Sequence, residues 1–184
     1  MTTWAKYRSI SIAGRNFTDG GMSKWDKKKS SDIFIAAEAC PSPAIRKLAD
    51  YWAKLRGNNQ FPSRHAVDPA AIKDLLPHIV LVEVHLDPLR IRYRVAGTRF
   101  VEAFGAETSG RWLHDVYTDD YELNQTLNNF QRLLDQRTPV YGRTENTFLP
   151  IGTSQFAWAI FPLSDDGENI THALGIEDYK ALRG

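Results

Sequence analysis

From Ser109 to Tyr117 the sequence reads SGRWLHDVY, an arginine, a tryptophan, a histidine, an aspartate and a tyrosine within nine positions. His114 beside Asp115 has the residue types of a general base and a carboxylate that orients it. Neighbours on a helix project about 100° apart, however, and do not face one substrate atom together. An enzyme built on His114 therefore ranks below two other readings, a ligand-pocket wall and an aromatic wall packed without a ligand. Other catalytic chemistry is weaker still. Cys40 precedes Pro41 with no histidine beside it in sequence, and it falls outside the expected folded core. No nucleophile elbow, zinc-helix motif or phosphate-binding glycine loop occurs. His65, His78, His85, His114 and His172 show no i, i+4 pairing on one helix, so no metal site is expected. No catalytic residue is assigned.

Stepping outward to the whole chain, 184 residues suit one domain with a short extension. Hydrophobic residues at 42% and charged residues at 24% are those of an ordinary globular protein. The single cysteine rules out an internal disulfide and points to a reducing, cytoplasmic setting. No apolar run approaches a membrane span, and the N-terminus lacks the apolar stretch of a secretory signal. The net charge of +1 hides an asymmetry, with residues 1–30 at +5 and the remainder at −4. A body that leans acidic argues against nucleic-acid binding. Residues 1–40 read as a basic, flexible, solvated extension; Met1 and Met22 are both possible starts.

The elements follow from capping and periodicity. Ser42 caps a helix that begins with Pro43 and stops at Gly57. Ile45, Leu48, Trp52 and Leu55 line its apolar stripe, widened by Tyr51. Asp68 and Pro69 open a shorter helical piece ended by Pro77, so that 41–78 forms a helix and linker. IVLVEV from Ile79 is a buried strand. RIRYRVAGT alternates, which puts Ile91, Tyr93 and Val95 on one side and Arg92 and Arg94 on the other. Short helical pieces broken by Gly105 and Gly110 lead to a long helix near 119–137, capped by Thr118, with Leu123, Leu127, Phe130 and Leu134 inward. Three strands close the chain, with SDDGEN (164–169) as a hairpin loop. The order predicts an α+β fold over 79–184, a five-stranded antiparallel sheet with helices on one face, preceded by the amphipathic helix.

This order and the local sequence resemble a bacterial family of small stand-alone PAS-domain proteins. The resemblance rests on the Tyr51-Trp52 and Arg56-Gly57 helix and on the Pro62-x-Arg64 and Asp68-Pro69 linker. It rests also on Leu76-Pro77 before the first strand, Arg94-x-x-Gly97-Thr98 after the second, and GAETSGRWLHDVY. It covers about residues 43–178 and implies a cavity between helices and sheet.

The implied role is a non-catalytic cytoplasmic sensor or regulator that binds a small ligand and a signalling protein partner. The alternatives are a ligand-free interaction or dimerisation module and the small enzyme on His114. Cavity-wall candidates are Tyr93, Phe104, Trp112, His114, Tyr117, Phe130, Tyr141, Arg143, Phe156 and Trp158. If Trp112, Phe130, Phe156 and Trp158 all point inward, no ligand space remains. Arg143 is either a contact for an acidic ligand or a cross-strand partner of Glu145 or Glu177. The ligand itself is not identified. Light-sensing flavin members of the superfamily need a cysteine where SGRWLHDVY stands, so covalent flavin chemistry is excluded. Haem-binding members commonly place a histidine on the long helix, which has none here, so haem is disfavoured. A homodimer is expected, with Ile45, Leu48, Tyr51, Trp52 and Leu55 at its interface, because the helix stripe looks wider than its own sheet can cover; the alternative is a monomer with this helix packed on its own domain.

Overall fold

The computed structural model describes residues 11–12, 15–16, 31–34, 36–146 and 154–179. Its centre is a six-stranded, wholly antiparallel sheet in the order β1-β4-β5-β6-β2-β3. The strands are β1 (Ser31–Phe34), β2 (Ile79–His85), β3 (Arg90–Ala96), β4 (Val140–Asn146), β5 (Ser154–Leu163) and β6 (His172–Asp178). Five of them are those expected. The sixth, β1, comes from within the segment read as a flexible extension and pairs with β4 at the sheet edge. Most of that segment's basic residues lie outside the described residues.

Helices lie on both faces of the sheet, the expected amphipathic N-terminal helix on one and the later helices on the other. On the first face lies α1 (Pro43–Arg56), whose N-cap Ser42 accepts from the Ile45 N–H at 3.1 Å. The Ser42 hydroxyl also donates to Asp178 Oδ2 on β6 at 2.7 Å, which ties the start of the helix to the sheet. Further along, Trp52 Nε1 donates to the Pro162 carbonyl on β5 at 2.8 Å. Ile45 and Leu48 are fully buried and Trp52 nearly so, at 0%, 0% and 7% exposure. They pack on Ala157, Ala159, Phe161, Leu163, Leu174 and Ile176. Burying each such side chain contributes about 1.5–3 kcal/mol. The stripe assigned to a dimer interface is thus covered by the chain's own sheet. The physical reason is that β5 presents small alanines on this face, which lets the helix sit close, and Trp52 lies against Phe161 with ring centroids 6.2 Å apart. Tyr51 and Leu55 stay half-buried at the margin, with the Tyr51 hydroxyl accepting from the Asp68 N–H at 2.7 Å. Cys40, expected outside the core, is 1% exposed within this same layer.

On the second face lie α2 (Thr98–Phe104), α3 (Leu113–Val116) and α4 (Asp120–Gln136). Asp119, one residue beyond the expected Thr118, caps α4 by accepting from the Glu122 N–H at 2.9 Å. Between the faces the resemblance motifs meet one another. A Cβ at Gly97 would lie 2.4 Å from the carbonyl oxygens of both Leu76 and Pro77, so only glycine fits there. One expected alternation fails: β3 pairs Tyr93 with Val82 but Val95 with Leu81, which leaves Arg94 as an extra, bulged residue. The bulge turns Val95 to the surface, at 51% exposure. No helix among the described residues is long and apolar enough to cross a membrane.

Candidate functional site

Between the second face of the sheet and α4 is a cavity of about 120 Å³. Its floor is built by register. Antiparallel partners share a face, and β5 pairs Trp158 with Gly142 on β4 and with Glu177 on β6. Phe156, Trp158 and Ile160 therefore point to the cavity together with Thr144 and Glu177. Trp158 Nε1 donates to Thr144 Oγ1 at 2.9 Å. The roof is one side of α4, where Tyr121, Glu122, Gln125, Thr126 and Asn129 recur at helical spacing. Leu123, Leu127, Phe130 and Leu133 form the buried stripe beside them.

The cavity is polar at one end. Tyr93 and Thr126 both hydrogen-bond the Tyr117 hydroxyl. The Tyr179 hydroxyl donates to Glu177 Oε2. Loss of water around the Glu177 carboxyl raises its pKa to about 7, and the charge of Glu122 adds to the rise, while the Tyr179 bond opposes it. Glu177 is only half-buried by surface area because its carboxyl faces the cavity; the cavity walls supply the desolvation. Tyr93, Tyr117 and Tyr179 are likewise pushed up by burial.

Of the wall candidates, Tyr93, Tyr117, Phe130, Phe156 and Trp158 line this cavity. Phe104 stands one layer behind, stacked on Phe100 at 4.5 Å and edge-on to Tyr117 at 5.4 Å. Tyr141 and Arg143 belong to the opposite face, because their partners on β5 are Ala159 and Ala157. Tyr141 packs there with Phe161 at 5.6 Å. Arg143 accordingly cannot meet Glu177, which faces the cavity; the Glu145 side chain lies outside those described. Of the opening cluster, Leu113 and Tyr117 reach the cavity, whereas Trp112 and His114 do not line it. Trp112 sits against the outer end of β3, under the Arg90 guanidinium at 3.8 Å and edge-on to His85 at 5.1 Å. His114 and Asp115 touch each other at 3.4 Å on the exposed surface, outside the lining of the cavity. SGRWLHDVY is a clasp between α3 and the β2–β3 hairpin, reinforced by Arg92 Nε donating to the Gly110 carbonyl at 3.1 Å.

Sequence reasoning named Glu177 only as a partner for Arg143, and missed Glu122, Tyr179 and the polar residues of α4. No sharp signal existed for the last group: Gln125, Thr126 and Asn129 form an uncharged polar stripe, but Asn124, Asn128 and Gln136 elsewhere on the helix are uncharged and polar too. No group of three or more potential metal ligands comes together among the described residues.

A family model described as a PAS domain matches residues 40–176. Among solved structures, the chain is similar to an RNA-binding light-oxygen-voltage receptor at 15% identity and TM-score 0.43. That match covers 66% of this chain and spans 37% of the receptor chain. A cysteine-to-serine mutant of Vivid is similar at 14% identity and TM-score 0.42, covering 61% of this chain and 84% of the other. A light-oxygen-voltage domain studied through a flavin analogue follows at 15% identity and TM-score 0.40, covering 59% and 81%. Comparison with curated proteins finds no match.

Proposed function

The chain belongs to the PAS domain family, and on that premise we propose that it is a non-catalytic sensory or regulatory module whose cavity binds a small organic molecule. The observation that carries this reading is a cavity that is lined rather than filled: about 120 Å³ remains between Trp158, Phe130 and Phe156, with carboxyl, phenol and amide groups turned into it. Ligand sites combine an apolar lining with a few convergent polar groups in this way. A ligand-free interaction module, its cavity plugged by Trp112, Phe130, Phe156 and Trp158, has less support, because Trp112 lies outside. An enzyme on His114 has less again, since that residue is exposed and does not line this cavity.

Flavin does not suit this cavity. The chain's one cysteine is buried on the opposite face of the sheet, where loss of water raises its thiol pKa. Among the described residues, the lining supplies no cationic side chain to meet a flavin phosphate. The histidines lie elsewhere too; His172, for instance, is buried beside Thr171 and Asp165.

The proposal extends to a cytoplasmic setting and to a protein partner, either a signalling protein or a second copy of the chain. With α1 seated on its own sheet, a homodimer needs some other surface; sedimentation showing one monomer-sized species at every concentration counts against it. Native mass spectrometry, with thermal shifts across a metabolite panel, tests ligand binding. A retained small molecule, or stabilisation by a panel member, is the expected result. A clean apo mass with no stabilisation by any member contradicts the reading.

A further inference from the structure

We propose that the α1 side of the β2–β3 hairpin is a docking surface for an acidic segment of a partner protein, an extended stretch with two carboxylates two residues apart. This gives the protein partner proposed above a surface and a chemistry, and it does not depend on whether the cavity holds a ligand. α1 packs on β5 and β6 and leaves His85, Arg94 and Val95 of the hairpin exposed. Register sets Arg90 opposite His85 and Arg92 opposite Glu83, while Ile91 and Tyr93 go to the cavity side. Both arginines therefore rise from the α1 side, and residues two apart on a strand stand about 7 Å apart.

Trp112 holds the two arginines in place. It pairs with Arg92 beside the strand, and its ring centroid lies 3.8 Å from the Arg90 guanidinium carbon and 5.7 Å from that of Arg92. A guanidinium stacked on an indole keeps its N–H fork in plane for a carboxylate, and it is already ordered when the carboxylate arrives. Within the Arg90 guanidinium only Nε is buried without a partner, which leaves the two terminal nitrogens for an incoming acid. Arg92 Nε is held by the Gly110 carbonyl. Among the described residues neither arginine has an acidic partner. Glu83 is placed by register to serve, but its Oε1 meets Arg94 at 3.4 Å and its Oε2 meets His85 at 3.5 Å. Arg94 is thereby paired, and Arg90 and Arg92 are not.

The shape and sign of the surface select the partner. Arginines at alternate positions of a strand match alternate side chains of an extended acidic segment, and each fork takes one carboxylate in two parallel hydrogen bonds. A nucleic acid requires a longer basic track. Here Glu83, Asp87 and Asp115 stand on the hairpin and on α3, and residues 31–184 carry a net charge of −4. Two carboxylates are accommodated; a long polyanion is repelled.

Two short synthetic peptides, alike except for Asp-Val-Asp or Asn-Val-Asn at the centre, test the assignment by calorimetry with the full chain. The diacid is expected to bind roughly tenfold or more tighter than the diamide, and to weaken several-fold between about 50 and 300 mM salt. Arg90→Gln and Arg92→Gln are each expected to remove most of that preference. Arg90→Lys, which keeps the charge and loses the fork, is expected to remove part of it, and carries the test at that position if Arg90→Gln does not fold. Arg99→Gln alters an arginine that pairs with Glu102 on α2, and is expected to leave the preference within about twofold. Equal affinity for diacid and diamide overturns the proposal, as does a diacid preference that survives in the Arg90→Gln, Arg92→Gln double variant. A short oligothymidylate binding more tightly than the diacid overturns it in favour of a nucleic acid. Failure of the diacid to bind overturns it outright. None of these results bears on the cavity, which the metabolite panel tests separately.

Discussion

The two faces of the sheet are built from the same strands, alternate residues going to each, yet they are finished differently. Under α1 the strands present Ala157, Ala159, Leu174 and Ile176, and the helix fills every gap with Ile45, Leu48 and Trp52. Its polar groups are spent on fastening, Ser42 to Asp178 and Trp52 to the Pro162 carbonyl. Under α4 the strands present Phe156, Trp158 and Glu177, and the helix answers with Phe130 and with the polar Glu122, Gln125, Thr126 and Asn129. A strand buried on both sides can serve a structural layer and a binding layer at once, because side-chain parity separates them.

The largest expected effect falls on the closed face. Trp52→Ala removes a 7%-exposed indole and its hydrogen bond, and should cost about 3–5 kcal/mol in denaturant unfolding. If the loss is below about 1 kcal/mol, α1 is not seated on the sheet as described.

On the open face the expected effect is a pH dependence. Glu177 has a pKa near 7 when folded against an ordinary 4.5. The folded chain therefore holds more protons between those values, and stability falls as pH rises from about 4.5 through about 7, then levels. The groups facing its carboxyl are Tyr93, Tyr117 and Tyr179, all neutral in that range because burial raises them, and Glu122. The difference between pH 5 and pH 8 should be about 2 kcal/mol, discounted for water that the cavity admits. Glu177→Gln should flatten this part of the curve; an unchanged slope in that variant assigns it to other groups.

A smaller loss is expected from Ser42→Ala, about 1–2 kcal/mol, since it removes an N-cap and a buried hydrogen bond without opening a large cavity. Ligand affinity should not change, because that residue belongs to the closed face. A shift in affinity would show that the two faces are coupled.

The closed face was the more legible in the sequence. Ser42, Pro43 and Gly57 mark the ends of α1 by local rules, and its stripe repeats at helical spacing. The linker motifs likewise proved to be ties, with Gly97 pressed against Leu76 and Pro77 and Ser164 N donating to the Pro62 carbonyl at 3.1 Å. The open face was half legible. Phe156 and Trp158 were read inward because they alternate, but whether Tyr141 joins them depends on which β5 residue it pairs with, and local sequence does not encode that parity. Val95 was misplaced for the same kind of reason, since one bulged residue reverses everything after it. Glu177 escaped notice as a cavity residue because a carboxylate near the end of a chain ordinarily faces solvent; only the sheet carries it inward. SGRWLHDVY drew attention through its residue types; Trp112, His114 and Asp115 interact with one another and with the β2–β3 hairpin, and only Leu113 and Tyr117 turn to the cavity.

The separation of the faces can be tested directly with the chain's own tryptophans as reporters. With 5-fluorotryptophan incorporated, the resonances of Trp158 on the cavity floor, Trp52 on the closed face and Trp112 in the clasp are assigned by Trp→Phe replacement. The panel compound that stabilises the chain most is then titrated while fluorine spectra are recorded. The expected result is that Trp158 shifts with occupancy while Trp52 and Trp112 stay in place. A stationary Trp158 with movement at Trp52 or Trp112 would contradict the assignment of the cavity as the binding site.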